Sequence, residues 1–253
     1  MKRSGGFTLT ELVMVIVILS VVSLVSVRFI SFSTQGAIDT AERQTMAAGA
    51  GILAERISRE LREALPASLR THDDGRCVEF IPILRGGGYQ GSLTEPVNRF
   101  RTRGEAATPV TGRVAVYPYS LSPYDPDNPG SVSIEEATWD LDQVAFPEGV
   151  EQRFLADSPR SRFAMIATPV TFCQSAGGRM ERFSGYPPGA SFGSGERQVV
   201  ASGLADTGGA PVFRVAEPSL TRNALVILDL RLAASRGDET YQLAQEVQIR
   251  NVP

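Results

Sequence analysis

Residues 5–20 read GGFTLTELVMVIVILS and place one carboxylate, Glu11, at the start of a long apolar run. The run continues to Ile30, interrupted only by hydroxyl side chains and by Arg28. A helix rises about 1.5 Å per residue, so a helix over residues 7–30 crosses a hydrocarbon core of about 30 Å. The sequence therefore predicts a transmembrane helix with a carboxylate near one end.

The residues before the apolar run predict its orientation. Lys2 and Arg3 form a basic cluster there, and positive charge marks the side of a membrane segment that stays in the cytoplasm. No A-x-A-like cleavage site follows the run, whereas the small residues Gly5 and Gly6 precede it. A cut after Gly6 keeps the helix in the mature chain, so we expect an exported domain on a retained anchor.

Glu11 needs a partner, because an ionised carboxylate in the bilayer costs on the order of a few kcal/mol. Cleavage after Gly6 would free the amine of Phe7 about one helical turn away, and the same amine on a neighbouring helix is equally available. Glu11 is therefore interpreted as an assembly charge. The alternative is a plain single-pass anchor that contains a polar residue.

The segment GFTLTE at residues 6–11, followed by a long apolar helix, resembles the class III signal of type IV pilins and type II secretion pseudopilins. The resemblance implies that a membrane prepilin peptidase cuts after Gly6 and N-methylates Phe7. It also implies that Glu11 pairs with a neighbour's amine during polymerisation. The partners would be the peptidase, the major pilin, other minor pilins and the inner-membrane assembly platform.

Later segments resemble the O-type minor pseudopilins of the mannose-sensitive haemagglutinin (MSHA) pilus system. They are ISRELREALP at 57–66, CVEFIPI at 77–83, TPVTFC at 168–173 and EVQIRNVP at 246–253. This resemblance implies a non-enzymatic subunit without a cofactor, acting in assembly initiation or at the tip. Two alternatives stay open: a minor pseudopilin of type II secretion, and a pilus-tip adhesin.

The fold class expected is α+β, with a long N-terminal helix packed on an antiparallel β-rich domain. A helical period continues beyond Arg28 and is stopped by Pro66. Its apolar positions are Ile38, Ala41, Thr45, Ala48, Ile52, Ile57, Leu61 and Leu65. Alternating patterns then predict strands at 77–84, 113–117, 132–137, 150–155, 162–173, 180–183, 198–202, 212–216, 224–232 and 241–250. The domain prediction is a leader at 1–6, a transmembrane helix at 7–30, an amphipathic continuation at 31–66 and a β-rich periplasmic or extracellular domain at 67–253.

Charge and cysteine content narrow the function further. The net charge is −3 and no long basic block occurs, which argues against a nucleic-acid partner. Cys77 and Cys173 are the only cysteines, and they lack the spacing of a zinc or thioredoxin-like motif. Export favours a disulfide between them over two buried free thiols.

Two loops are candidates for binding. Residues 125–136 space their oxygens like an EF-hand loop, which makes Asp125, Asp127 and Glu136 a weak calcium candidate. A proline at the fifth position and the lack of flanking helices favour a stiff turn instead. The loop at 183–195 could present Tyr186 and Phe192 to a partner, or keep them half-buried.

The single histidine and a glycine run complete the search for chemistry. His72 lies in a polar segment after the helix, so we expect a surface histidine rather than a member of a catalytic triad. The run RGGGY at 85–89 lacks the lysine and the spacing of a phosphate loop and is predicted to be a flexible loop.

Overall fold

The computed structural model describes residues 8–118, 123–125, 130–216, 223–235 and 239–250. Within these ranges the chain forms one long helix and twelve strands, and the strands make three antiparallel sheets. The α+β architecture predicted from the sequence, a long N-terminal helix packed on antiparallel sheets, is confirmed.

Helix α1 spans Leu9–Arg62 and is therefore about 80 Å long. Thr8 caps its N-terminus, where the Thr8 hydroxyl oxygen accepts a hydrogen bond from the backbone N–H of Glu11 at 3.4 Å. The helix ends before the predicted stop, because the backbone N–H of Leu65 donates to the carbonyl oxygen of Ile81 at 2.8 Å instead of extending the helix.

Burial divides α1 into two halves. No residue from Leu9 to Ala41 is buried, whereas the second half packs on the sheets. The buried residues are Met46, Ala50, Leu53, Ala54, Ile57, Ser58 and Leu61. The apolar face predicted from the sequence is therefore wrong in part, since Ile57 and Leu61 are buried but Ile38, which is 45% exposed, and Ile52, which is 73% exposed, point away from the sheets.

Twelve strands follow the helix. Two short 3-10 turns, at Pro66–Ser68 and Asp73–Gly75, lie on either side of the first strand. The strands are β1 Arg70–His72, β2 Cys77–Phe80, β3 Ile83–Tyr89, β4 Arg99–Ala115, β5 Val132–Ala145, β6 Arg162–Ile166, β7 Val170–Gln174, β8 Arg179–Ser184, β9 Glu196–Ser202, β10 Phe213–Ala216, β11 Ala224–Ala233 and β12 Thr240–Ile249. The sheet orders are β1-β2-β7-β8-β9, β3-β6-β4-β5 and β10-β11-β12.

The five-stranded and three-stranded sheets share one core with the second half of α1. Its members include Leu53 and Ile57 of the helix, Phe172 of the five-stranded sheet and Leu228 of the three-stranded sheet. At the near end of the β11–β12 hairpin, Glu42 accepts a hydrogen bond from the backbone N–H of Ser235. We call this part of the molecule, residues 42–81 and 167–250, the body.

The four-stranded sheet is an insertion between two paired strands of the body. Strands β2 and β7 are hydrogen-bonded neighbours, with Phe80 opposite Val170, and the ladder continues after Pro82 as β3 paired with β6. The backbone N–H of Ala167 bridges the step by donating to the Pro82 carbonyl oxygen at 2.9 Å. We call residues 83–166 the lobe; its core lies entirely between residues 89 and 165 and contains no residue of α1.

A third, smaller cluster joins the lobe to the body. Leu65 and Ile81 of the body pack there against five lobe residues, Ala115, Tyr124, Val132, Ala164 and Ile166. The Tyr124 hydroxyl also donates to the carbonyl oxygen of Ser68 at 2.7 Å. The lobe is therefore attached beside the C-terminal end of α1.

Several predicted strands differ from those observed. The strand predicted at 77–84 is broken by Pro82, and that at 162–173 is broken by Pro169, because proline cannot donate to the ladder. Residues 150–155 form only an isolated bridge, between Val97 and Gln152. Strand β1 and most of β4 were not predicted, since neither carries a clear apolar alternation.

The run at 85–89, predicted to be a flexible loop, lies inside strand β3. A side chain at Gly87 would place its Cβ 2.6 Å from the Trp139 ring and 2.9 Å from the Phe163 ring. The glycine is therefore required by close packing in the lobe core rather than by flexibility.

Candidate functional site

The N-terminal end of α1 contains the predicted assembly charge. Glu11 lies in the first turn and is exposed, and the Thr8 hydroxyl donates to its carboxylate at 3.5 Å. In the described part of the chain no ion pair involves Glu11. The predicted processing residues, Gly6 and Phe7, lie outside the described residues.

The first half of α1 has the properties of a membrane segment. Its side chains are mostly apolar and all exposed, and α1 is the one helix, among the described residues, that is long and apolar enough to cross a membrane. A fully exposed apolar surface of this length is unstable in water and needs lipid or other helices around it.

The middle of α1, from Ile38 to Ile52, has an exposed stripe on the side opposite the buried face. It consists of Ile38, Ala41, Thr45, Ala48 and Ile52, and we call it the exposed seam. The spacing alternates between three and four residues, as in the seam of two helices that pack side by side. The small side chains in its middle permit close approach of a second helix.

The two cysteines form a disulfide in the structure. Cys77 of β2 lies opposite Cys173 of β7 in the antiparallel register, and their sulfur atoms are bonded. The bond closes a loop with a sequence separation of 96 residues, which contains the whole lobe. It lies at the end of the β2–β7 pair that is farther from the lobe.

The weak calcium candidate is not assembled by the described residues. Asp127 lies outside them, and Glu136 sits on strand β5 opposite Arg113. No group of three His, Cys, Asp or Glu side chains suited to a metal occurs in the ranges that the structure describes. The calcium site remains a prediction from the sequence.

The two aromatic residues of the candidate partner loop point inward in the structure. Tyr186 is only 3% exposed, and its hydroxyl donates to a carboxylate oxygen of Glu79 at 2.7 Å and contacts the Thr171 hydroxyl. Phe192 is half-buried and stacks on the His72 ring, with 4.3 Å between the ring centroids. In the structure this loop therefore keeps both aromatic side chains at least half-buried, which is the second of the two alternatives.

His72 is not the surface histidine expected from the sequence. Its side chain is 22% exposed, and its Nε2 atom lies 3.0 Å from a carboxylate oxygen of Glu79, which is fully buried. Arg70 forms an ion pair with the same carboxylate, and its guanidinium carbon lies 3.6 Å from the centroid of the Tyr124 ring. The buried Glu79 carboxylate thus contacts the guanidinium of Arg70, the imidazole of His72 and the phenol of Tyr186.

Burial and charge explain the acid–base state of Tyr186 in this cluster. Burial raises the pKa of Tyr186 above its ordinary value, and the nearby Glu79 raises it further, while the hydrogen bond with Thr171 acts in the opposite direction. Tyr186 therefore stays a neutral hydrogen-bond donor at any physiological pH. Sequence reasoning missed Glu79, although a lone carboxylate in the apolar strand CVEF was an available signal.

Comparisons with known proteins identify only the N-terminal region. No curated protein and no solved structure matches the chain. Residues 1–27 match a family described as the prokaryotic N-terminal methylation motif. Together with the exposed apolar helix on antiparallel sheets, this match supports a chain of the type IV pilin and pseudopilin family, anchored in the inner membrane and processed by prepilin peptidase.

Proposed function

We propose that this chain is a minor pilin or pseudopilin subunit of an MSHA-type pilus. It is stored in the bacterial inner membrane with its N-terminus in the cytoplasm and its C-terminal domain in the periplasm. The assembly platform then extracts it, and it packs through α1 among the major pilin and other minor pilins. The role is structural and needs no cofactor.

The observation that carries this proposal is the state of Glu11. It is a carboxylate at the start of an exposed apolar helix, and no cation pairs with it in the described part of the chain. A free amine created by cleavage between Gly6 and Phe7 supplies the missing positive charge, either on the same helix or on a neighbour. In lipid that pairing is strongly favoured over an isolated carboxylate.

The position of the lobe supports a place at assembly initiation or at the tip. The lobe joins the body next to Leu65, beyond the C-terminal end of α1, so it lies at the end of the molecule that is far from the membrane segment. A subunit stacked beyond that end has to accommodate the extra 84-residue segment, 83–166. A terminal place in the filament avoids this conflict.

The adhesin alternative also has one observation in its support, because the lobe core contains no residue of α1. A ligand-binding module of this kind can be carried without disturbing α1. The type II secretion alternative uses the same helix chemistry, and the genes neighbouring this one distinguish it from a pilus subunit.

The proposal is tested by Gly6→Val and Glu11→Gln in cells that assemble the filament. Gly6→Val is expected to leave an unprocessed protein in the membrane. Glu11→Gln keeps the side-chain shape but removes the charge, so we expect normal cleavage and methylation at Phe7 and about a tenfold loss of subunit from sheared filaments. Mass spectrometry of the N-terminal peptide and immunoblotting of filaments measure the two outcomes.

Glu55→Gln is the matched control, because it makes the same chemical change on an exposed residue of the second half of α1. Lys2 is the only lysine, so cleavage leaves the Phe7 amine as the sole amine of the chain, and its methylation is read without background. Wild-type incorporation of Glu11→Gln, or cleavage elsewhere than before Phe7, contradicts the proposal.

A further inference from the structure

Strand β12 forms one edge of the three-stranded sheet, and all ten of its residues pair with β11 without a register shift. The strand contains no proline and only one charged side chain, Glu246. Native proteins ordinarily avoid long, regular edges with few charges, because such edges present a row of unpaired backbone groups to any other extended chain. The outer edge of β12 is therefore a candidate interaction surface.

The other sheet edges in the described ranges are protected. Strands β1 and β10 have only three and four residues. Strand β9 has a register shift against β8 and begins with Glu196 and Arg197, and β3 has a register shift against β6. Strand β5 is longer than β12, but its pairing with β4 shifts three times and it carries four carboxylates. Shortness, register shifts and several charges all hinder pairing with a foreign strand, whereas β12 has only its single carboxylate.

The hairpin between β11 and β12 shows which backbone groups of β12 point outward. The backbone N–H of Ala234 donates to the carbonyl oxygen of Glu239 at 2.9 Å, directly beyond the last ladder pair, Ala233 with Thr240. Hydrogen-bonded and non-hydrogen-bonded pairs alternate along an antiparallel ladder. The pair of Ala233 with Thr240 is therefore not hydrogen-bonded, and neither is every second pair beyond it.

Contacts on the far side of β11 agree with this alternation. The backbone N–H of Asp229 donates to the carbonyl oxygen of Val212 at 2.8 Å, so it points away from β12. Asp229 lies opposite Ala244, whose N–H and C=O groups therefore point away from β11. The same orientation applies to every second residue of β12, namely Thr240, Gln242, Ala244, Glu246 and Gln248. Within the described part of the chain, none of these outward backbone groups has a hydrogen-bond partner.

The side chains along residues 240–246 define the chemistry of a matching segment. Tyr241 and Leu243 lie on the face that packs toward α1 and are half-buried, whereas Val247 on the same face is buried. An added strand with apolar side chains beside Tyr241 and Leu243 extends this core. Glu246 lies on the other face, is exposed and forms no ion pair among the described residues. A basic side chain directly opposite Glu246 is therefore favourable.

We propose that residues 240–246 of β12 bind an extended segment of a partner protein, which adds a strand to the three-stranded sheet. The segment presents apolar side chains toward α1 and a lysine or arginine opposite Glu246. The β12 strand of a second copy does not meet this requirement, because it contains no basic residue. Backbone hydrogen bonds provide the affinity in this mode of recognition, and alternate side chains provide the specificity. The inference rests on β11 and β12 and does not depend on the proposed function.

A synthetic peptide as long as β12 serves as the probe. It alternates valine and threonine, with one central threonine replaced by lysine, and the control peptide has glutamate in place of that lysine. Hydrogen exchange of the full chain in detergent, resolved to single amides by NMR, measures binding. Saturating lysine peptide is expected to slow exchange of the Gln242, Ala244 and Glu246 amides at least about fivefold, and the glutamate peptide should bind severalfold more weakly. The Leu243 amide already faces β11, so its exchange should not change.

Two substitutions distinguish the backbone contribution from the charge contribution. Ala244→Pro removes one outward N–H and leaves the ladder with β11 intact, because an edge strand tolerates proline where its N–H faces solvent. We expect about a tenfold loss of affinity for the lysine peptide. Ala244→Thr is the matched control, since it changes the side chain and keeps the N–H, and it should bind like the wild type. Glu246→Gln should bind both peptides equally.

Absence of protection at residues 242, 244 and 246 contradicts the proposal, and so does equal binding of the two peptides by the wild type or undiminished binding by Ala244→Pro. If these amides are protected without peptide, the chain itself or a second copy occupies the edge and the proposal is wrong. Slow exchange of the Leu230 amide, which faces β12, confirms that each variant has folded. If Ala244→Pro fails this check, Glu246→Gln decides, because a remaining preference for the lysine peptide also contradicts the proposal.

Discussion

Adjacent glycines in β3 occupy very different surroundings. Gly87 faces the lobe core, where a Cβ atom would lie 2.6 Å from Trp139 and 2.9 Å from Phe163. Both rings are buried and cannot move away freely. We expect Gly87→Ala to destabilise the lobe by about 1–3 kcal/mol through overpacking, measured as a shift of the urea midpoint of Trp139 fluorescence.

Gly88 supplies the matched control one residue away. A Cβ atom there meets only the Arg103 side chain at 3.4 Å and the Ser161 carbonyl oxygen at 3.5 Å, which are ordinary contacts. Gly88→Ala should therefore change the midpoint little, or raise it by reducing the freedom of the unfolded chain. Equal effects of the two substitutions would show that strand propensity, not packing, explains the glycine run.

The roles of single residues were predictable where they do not depend on contacts between distant parts of the chain. Glu11 stands out because charge is rare in an apolar run, and the pairing of Cys77 with Cys173 follows from export and from having only two cysteines. His72 was misjudged because its burial comes from Glu79 and Phe192, which are 7 and 120 positions away along the chain. No local pattern specifies contacts of that range.

At the level of secondary structure, α1 has two apolar faces, and only one of them packs on the sheets. The predicted apolar face ran continuously from Ile38 to Leu65, but the helix buries Met46, Ala50 and Leu53 instead of the first five of those positions. The predicted positions change face at the five-residue step from Ile52 to Ile57, which turns the stripe by about 140° around the helix, from the exposed side to the side that packs on the sheets. The sequence contains both faces, but its pattern does not indicate which one packs on the sheets.

The exposed seam predicts an effect on assembly without an effect on the fold. Ala48→Glu places a charge in the middle of the seam, at an exposed position. We expect the free energy of unfolding to change by less than about 0.5 kcal/mol. Incorporation into filaments should fall severalfold, because a neighbouring helix can no longer approach. Urea titration of the subunit and immunoblotting of sheared filaments give the two measurements.

Gln248→Glu is the control, since it adds the same charge at an exposed position of β12, far from the seam. It should leave both stability and incorporation unchanged. Normal incorporation of Ala48→Glu would show that the seam faces solvent in the filament.

At the scale of the whole molecule, the chain divides into two cores that the sequence did not separate. Alternating strands occur in both the lobe and the body, so their pattern alone cannot tell which strands share a sheet. The insertion is visible only through the continuous β2–β7 and β3–β6 ladder and its breaks at Pro82 and Pro169. The sequence pattern predicted β2, β6 and β7 but not β3 beyond residue 84, and it treated the two prolines as ordinary strand residues.

The disulfide stabilises the body by closing the long loop that contains the lobe. Pairing β2 with β7 requires closing a loop of nearly 100 residues, and a covalent link across such a loop lowers the entropy of the unfolded chain by an amount worth about 4–5 kcal/mol in the loop-closure account. Because Cys77 and Cys173 lie on the body side, the link holds the body together even when the lobe is unfolded.

Separate cores predict separate unfolding transitions. Phe154 is 1% exposed and belongs to the lobe core, so Phe154→Ala should weaken the lobe by about 3–5 kcal/mol and leave the body intact. Trp139 is the only tryptophan and lies in the lobe core, so its fluorescence in a urea titration follows the lobe alone. Hydrogen exchange of residues 50–61 of α1, measured at the same urea concentrations, follows the body.

Phe172→Ala makes the same change in the body core and should give the opposite result, a lower midpoint for residues 50–61 with little change in the Trp139 transition. The small joining cluster around Leu65 and Ile81 limits how far one core can stabilise the other, since it contains only two body residues. If either substitution lowers both midpoints equally, the lobe and the body form one cooperative unit, and the lobe is then a structural part of the pilin body rather than a module carried by it.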